Sequence, residues 1–128
     1  MADTGNFIQI TPVMWVPDLD AAIAFFTDLL GFRVGFRGGG YAYVTRETVA
    51  VRIMDRTIYT DVAPGDRRFA HYIDVRDVDA LYAELKPKLD LLPHGDVHGP
   101  ANKPYGQREL CILAPDGDLV VFGQAIAG

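Results

Sequence analysis

Three histidines, one cysteine and a set of aromatic rings beside a glycine run are the residues of this 128-residue chain whose types could do chemistry. His94 and His98 stand in HGDVH. Two histidines at that spacing share a face only on a helix, where with a further donor they could bind a divalent metal. Pro93, Gly95, Gly99 and Pro100 surround them, so no helix is expected and the pair reads as loop histidines, with Asp96 the one acid between them. His71 lies in a β-like run and reads as a packed or surface histidine. Cys111 sits in LCIL, an apolar strand in which a thiol stays protonated and unreactive. Gly38, Gly39 and Gly40 lead into Tyr41 and a strand rather than into Lys-Ser/Thr and a helix, so they are a hairpin turn and not a phosphate cradle. No Ser-His-Asp pattern has a recognisable local frame. The aromatics are more informative. Phe36, Tyr41 and Tyr43 flank the glycine turn, and Tyr105 sits in the loop PYG. Strand parity puts Tyr41 and Tyr43 on one face. Such rings can sandwich a planar heteroaromatic ligand, at about 0.5–1.5 kcal/mol per stacked pair beyond burial, or they can pack in a core.

The elements that would position these residues follow from patterning. Residues 7–16 are apolar and β-prone and predict a strand, with Pro12 placing it at an edge or bending it. Asp18 is set to cap a helix whose Leu19, Ala22, Ile23, Phe26 and Leu30 form one apolar face. Gly31 ends it. Strands are expected over Phe32–Arg37, Tyr41–Thr45 and Val49–Met54. Residues 56–68 mix Pro, Gly and charges and predict a linker. The order then repeats. Phe69–Val75 predicts a strand, and Asp77 caps a helix carrying Val78, Leu81, Tyr82 and Leu85 whose length Pro87 limits. Residues 89–104 are less regular, and Glu109–Leu113 and Leu119–Phe122 are strands joined by the turn PDGD. VPDLDAAIAFF from Val16 and VRDVDALYAEL from Val75 are two copies of one phrase. The fold class expected is therefore α+β. Two tandem β-α-β-β-β modules, 7–55 and 69–124 with 56–68 between, form one domain whose sheets curve into a shared cup.

Bulk properties exclude several classes. Hydrophobic residues are 49% and charged residues 23% of the chain, a globular balance rather than a disordered one. One cysteine rules out an intrachain disulfide and a cysteine-based zinc cage. A formal charge of −5 with no basic cluster argues against nucleic acid, whose binding draws on Lys and Arg, and favours cationic ligands through the long-range field. No apolar run is long enough to span a membrane, and the opening MADTGNF lacks the basic and apolar regions of a signal peptide. A cytoplasmic protein is expected.

The chain resembles the vicinal oxygen chelate superfamily, which includes glyoxalases, extradiol dioxygenases, fosfomycin-resistance enzymes and bleomycin-resistance proteins. The resemblance is carried by VPDLDAAIAFFTDLLGF at 16–32, VRDVDALYAEL at 75–85 and PYGQRELCILAPDGDLVVF at 104–122. The opening TPVMWVPDLDAAIAFFTDLLGF, its continuation through YAYVTRETVAVRI, and the Pro-aromatic-Gly followed by Arg-Glu at 104–109 are most similar to the bleomycin-resistance branch. That branch implies a homodimer that traps a large antibiotic, such as a bleomycin-like glycopeptide, in grooves between subunits without a reaction. It implies ligand contacts at Phe36 and Tyr41 and in the Pro104-Tyr105-Gly106 loop. Strand parity adds Tyr43, Trp15 and Arg52 to the expected contacts, and Arg108 is expected beside the loop.

Enzymes of the superfamily hold a divalent metal inside the cup. Aligned on the repeated phrase, their ligand positions fall at Thr11, near Arg52, at Ala70 and at Val121. A methyl and an isopropyl group cannot chelate, and a guanidinium repels a cation, so the resemblance implies no metal and no cofactor here. A slip by one residue would bring His71 to a ligand position, but it would also turn the strand over. The rival expectation is a metal-dependent lyase or dioxygenase using His71 with Glu47 or Glu109. Two departures bear on the ligand. Gly35 stands where bleomycin-resistance proteins often present an acid, and Arg52 puts a positive charge into the cup. These suit a different antibiotic, or an anionic metabolite held by Arg52.

Overall fold

Asp18 and Asp77 each begin a helix by the same device. The Asp18 carboxylate accepts the Ala21 N–H at 3.0 Å and that of Asp77 accepts the Ala80 N–H at 3.0 Å, satisfying a donor that the first turn would leave unpaired. The computed structural model describes residues 5–6, 8–56, 70–115 and 117–126; the expected linker lies, apart from Arg56, outside them. Along the chain run β1 (Val13–Val16), α1 (Leu19–Ala24), β2 (Arg33–Gly38), β3 (Tyr41–Arg46), β4 (Val49–Asp55), β5 (Ala70–Asp74), α2 (Val78–Leu89), β6 (Val97–Asn102), β7 (Gln107–Leu113) and β8 (Leu119–Ala125). They make two four-stranded mixed sheets, ordered β1-β4-β3-β2 and β5-β8-β7-β6. In each, the first strand pairs in parallel with the last and the other pairings are antiparallel. The fold is α+β. Among the described residues no helix is long and apolar enough to cross a membrane.

One face of each sheet is sealed by a helix. Met14, Val16, Ala42, Val44, Val51 and Ile53 alternate along β1, β3 and β4 and are buried beneath Ala22, Ile23, Phe26 and Leu30. Ile73, Leu110, Ile112, Val120 and Phe122 do the same beneath Val78, Leu85 and Leu89, and all belong to one continuous core. The first helix carries two adjacent buried rings, Phe25 and Phe26. From Phe25 to Leu29 it widens into a π turn, closed by Leu30 N–H to the Phe25 carbonyl at 3.2 Å. The wider turn lets both rings point inward, Phe26 standing edge-on to Phe25 (5.4 Å) and to Phe32 (5.1 Å).

Four local expectations need correction. The first strand starts at Val13 rather than at residue 7. Pro12 lends only its carbonyl to the ladder, accepting Arg52 N–H at 2.9 Å, and Ile8 and Ile10 stand exposed without a partner strand among the described residues. The helix from Val78 runs through Pro87 to Leu89. Burial of Leu85 and Leu89, one turn apart, holds it together across the missing N–H. Residues 97–102, expected to be irregular, form β6, an edge strand with a bulge between His98 and Ala101, where Gly and Pro are tolerated. The strand expected over 119–122 continues to Ala125, paired with Gln107.

The modules are tied by Arg46, whose guanidinium donates to both oxygens of Glu84 on α2 (2.9 and 2.8 Å) and to the Leu30 carbonyl (2.8 Å). The hydrogen bond from Arg46 holds the Glu84 carboxyl below its ordinary 4.5, against the opposing pull of burial. A carboxylate depressed in the folded state stabilises above its unfolded pKa and loses that contribution as pH falls. Glu84→Gln is therefore expected to flatten the acid limb of stability. Wild type should exceed the variant by under about 1 kcal/mol at neutral pH, the discount reflecting the half-exposed Glu84, and the gap should close as pH falls below the ordinary carboxylate value of 4.5. Thermal unfolding across that range checks it; a gap that widens on acidification contradicts it.

Candidate functional site

The face of the first sheet opposite its helix is open, and strand parity loads it with the residues of interest. Val13 pairs with Arg52, Trp15 with Met54, Tyr43 with Arg52 and Phe36 with Tyr43, so these side chains share one surface. Arg52 is its centre. Its Nε donates to Thr11 Oγ1 at 2.8 Å and its Nη1 to the Tyr41 hydroxyl at 2.5 Å. The guanidinium carbon stands 4.9 Å from the centre of the Tyr43 ring, within cation–π range. Gln9 Nε2 donates to the Tyr43 hydroxyl at 3.2 Å. Phe36, 56% exposed, leans on Tyr41 with ring centres 5.9 Å apart. Phe36, Tyr41, Tyr43, Arg52 and Trp15 are thus brought together.

The remaining expected contacts lie on the second sheet and divide between its faces. Tyr105 is on the open side, its hydroxyl donating to Glu109 Oε1 at 2.8 Å, and Gly106 follows in the same loop. Arg108 faces the other way. It forks onto Asp79 of α2 at 2.9–3.2 Å and reaches Asn102 at 3.0 Å. The side chain next to it, Glu109, holds the open-face position instead. Tyr72 and Glu109 are the residues that the expected contact set omits. The Tyr72 hydroxyl lies 3.0 Å from Glu109 Oε2, so this buried carboxylate accepts from two phenols. Loss of water around the hydroxyl, then the bond to Glu109, push the Tyr72 phenol up to about 12. Gly123 makes the reach possible, since a Cβ there would come within 1.8 Å of the Tyr72 oxygen. Parity could have found Glu109, because Leu110 and Ile112 alternate with it as core residues.

Register also superimposes the sheets on one another. Arg52 lies opposite Val13 and Val121 opposite Tyr72, so the two positions correspond; likewise Tyr41 corresponds to Glu109 and Tyr43 to Cys111. The ligand positions of a family metal site are therefore held by the hydrogen-bonded pair Thr11 and Arg52, by Ala70 and by Val121. These residues do not fit a metal ion. Among the described residues no three of His, Cys, Asp and Glu come together to hold one. His71 is on the core-facing side of β5, its Nε2 3.0 Å from Asp118 Oδ2 with both side chains largely buried, so parity separates it from Glu109. His94 lies in a turn and His98 is an exposed residue on β6. Burial and the neighbouring Glu109 push the Cys111 thiol up, which keeps it a thiol. A cleft of about 550 Å³ opens where the modules meet, lined by Thr11, Pro12, Ala50, Ala70, His71 and Asp74 among others. It shares Thr11 with the aromatic face but not the rings, which in one chain line an open surface.

The Glyoxalase/Bleomycin resistance protein/Dioxygenase superfamily model matches residues 8–122. No curated protein matches the chain. Among solved structures it is similar to a bleomycin resistance determinant encoded on the transposon Tn5, at 22% identity over 93% of this chain and 98% of that one, with a TM-score of 0.76. It is similar to the bleomycin-binding protein from bleomycin-producing Streptomyces verticillus, complexed with copper(II)-bleomycin, at 25% identity over 98% and 99% with a TM-score of 0.71. A lactoylglutathione lyase from Agrobacterium tumefaciens matches at 19% identity over 95% and 96%, with a TM-score of 0.70.

Proposed function

The chain belongs to the Glyoxalase/Bleomycin resistance protein/Dioxygenase superfamily, and from that premise we propose that it is one of the members that bind without catalysing. It acts in the cytoplasm as a metal-free protein of the bleomycin-resistance type, sequestering a glycopeptide-like antibiotic stoichiometrically. The observation that carries this reading is the Thr11–Arg52 pair. A 2.8 Å hydrogen bond between a hydroxyl and a guanidinium occupies two ligand positions, and Ala70 and Val121 at the others offer no lone pair. The aromatic surface around Arg52 supplies stacking area, with each ring pair contributing about 0.5–1.5 kcal/mol beyond burial. Phe36, Tyr41, Tyr43, Trp15 and Arg52 form one wall of the groove, and Tyr105 and Gly106, backed by Glu109, form another.

A groove needs two walls, and one chain leaves the first wall open. A second copy supplies the other, giving a homodimer that also covers Ile8 and Ile10, which are 91% and 97% exposed. The alternative is a metal-dependent lyase or dioxygenase, favoured by the likeness to the lactoylglutathione lyase. Calorimetric titration with metal-free and copper-loaded bleomycin, beside metal analysis of the purified protein, separates the two. The expected result is one drug per chain, heat unaffected by chelators, and sedimentation as a dimer. One tightly held divalent ion per chain, with turnover lost on chelation, overturns the binding reading; a monomer at all concentrations removes the groove.

A further inference from the structure

We propose that Arg52 is an anion site, and that the ligand of this face is a planar aromatic molecule bearing a carboxylate or like oxyanion. The proposal deepens the binding reading above and rests on it. Of the half-buried arginines among the described residues, Arg46 and Arg108 are each matched by a carboxylate, on Glu84 and Asp79 respectively. Arg52 is half-buried, yet no carboxylate among the described residues pairs with it. Its two hydrogen bonds go to neutral oxygens, Thr11 Oγ1 and the Tyr41 hydroxyl. A guanidinium is a permanent cation with five N–H donors in a rigid fork, and a partly desolvated charge without a counter-ion is costly. An incoming oxyanion offsets that cost.

The two neutral acceptors also act as donors. A hydroxyl has one proton and two lone pairs. Because Thr11 and Tyr41 each use a lone pair on Arg52, their own protons are left to donate to the same anion. The fork is fixed at Nε and Nη1, while Nη2 is left to form the charge-assisted bond, the stronger kind of hydrogen bond. The Tyr43 ring under the guanidinium and the Phe36–Tyr41 pair beside it give an aromatic body a place to stack next to its acidic group. The corresponding position in the second sheet is Val121, which offers no charge, so the anion site belongs to the first sheet alone.

The test is titration of the full chain with 2-naphthoate and its uncharged isostere 2-naphthamide, followed by quenching of Trp15, the chain's one tryptophan and a residue of the same face. The naphthoate should bind at least tenfold more tightly than the amide, with the difference shrinking as salt rises. Arg52→Met should erase the difference and Arg52→Lys should retain part of it, each variant unfolding at a temperature close to wild type. Equal binding of the two probes, or a preference that survives Arg52→Met, overturns the anion site and leaves the aromatic groove standing. If neither probe binds while bleomycin does, the anion site fails and the sequestration reading survives. If bleomycin also fails to bind, both are overturned.

Discussion

Phe26→Ala is expected to lower the free energy of unfolding by about 3–5 kcal/mol, a large share of the roughly 5–15 kcal/mol available to a domain. Phe26 is 1% exposed and sits between the rings of Phe25 and Phe32 in a core continuous across both modules. Truncation removes the transfer free energy of the ring and leaves a cavity that the π turn above it can only partly close. The control is the same substitution on the open face. Phe36 is 56% exposed and Phe36→Ala should change stability by no more than about 0.5 kcal/mol while weakening binding of a planar ligand. Urea unfolding of the two variants checks the contrast. A Phe26→Ala loss below about 1 kcal/mol would mean that Phe26 is not packed between Phe25 and Phe32 as described here.

Gly99→Ala is the second large effect, about 2–5 kcal/mol of lost stability from backbone strain and overpacking together. Gly99 has φ +91, and a Cβ there would lie 2.3 Å from the Glu109 carbonyl oxygen and 2.9 Å from the Ala101 nitrogen. Both are backbone atoms, so no side chain can swing away. The relief must come from moving β6 off β7 at the bulge, and β7 carries Glu109. The variant is therefore expected to loosen the Tyr72–Glu109–Tyr105 network and bring the Tyr72 phenol, held up at about 12, back toward 10. Gly95→Ala isolates the clash. Gly95 has φ +99 and open space where a Cβ would stand, so it bears the conformational strain alone and should cost about 1–3 kcal/mol. Spectrophotometric phenol titration and chemical denaturation give the two readouts; equal losses at both glycines would refute the contact with Glu109.

Much of this arrangement is legible before any coordinates. The two Asp caps and the helix faces behind them follow from side chains acting on their own backbone within a turn. The Tyr41–Tyr43 and Trp15 parity follows from the two-residue repeat of a strand. The repeated phrase fixes which position in one module corresponds to which in the other, and it is the family resemblance that implies donor positions at Thr11, Ala70 and Val121. β6 is hidden because Gly and Pro, which normally break strands, are tolerated at a bulged edge. The passage of α2 beyond Pro87 is hidden because it depends on Leu89 finding the core.

By itself, then, the sequence determined the α+β order of elements and the faces on which residues must lie, since each is set by neighbours a few residues away. Only the tertiary structure decided the partners. It sent Arg108 to Asp79 on the helix side, aimed Tyr72 and Tyr105 at Glu109, and locked Arg52 between Thr11 and Tyr41 with no carboxylate among the described residues. Those pairings join strands and helices distant along the chain. They depend on register, bulges and the room left by residues such as Gly123, which no local pattern encodes.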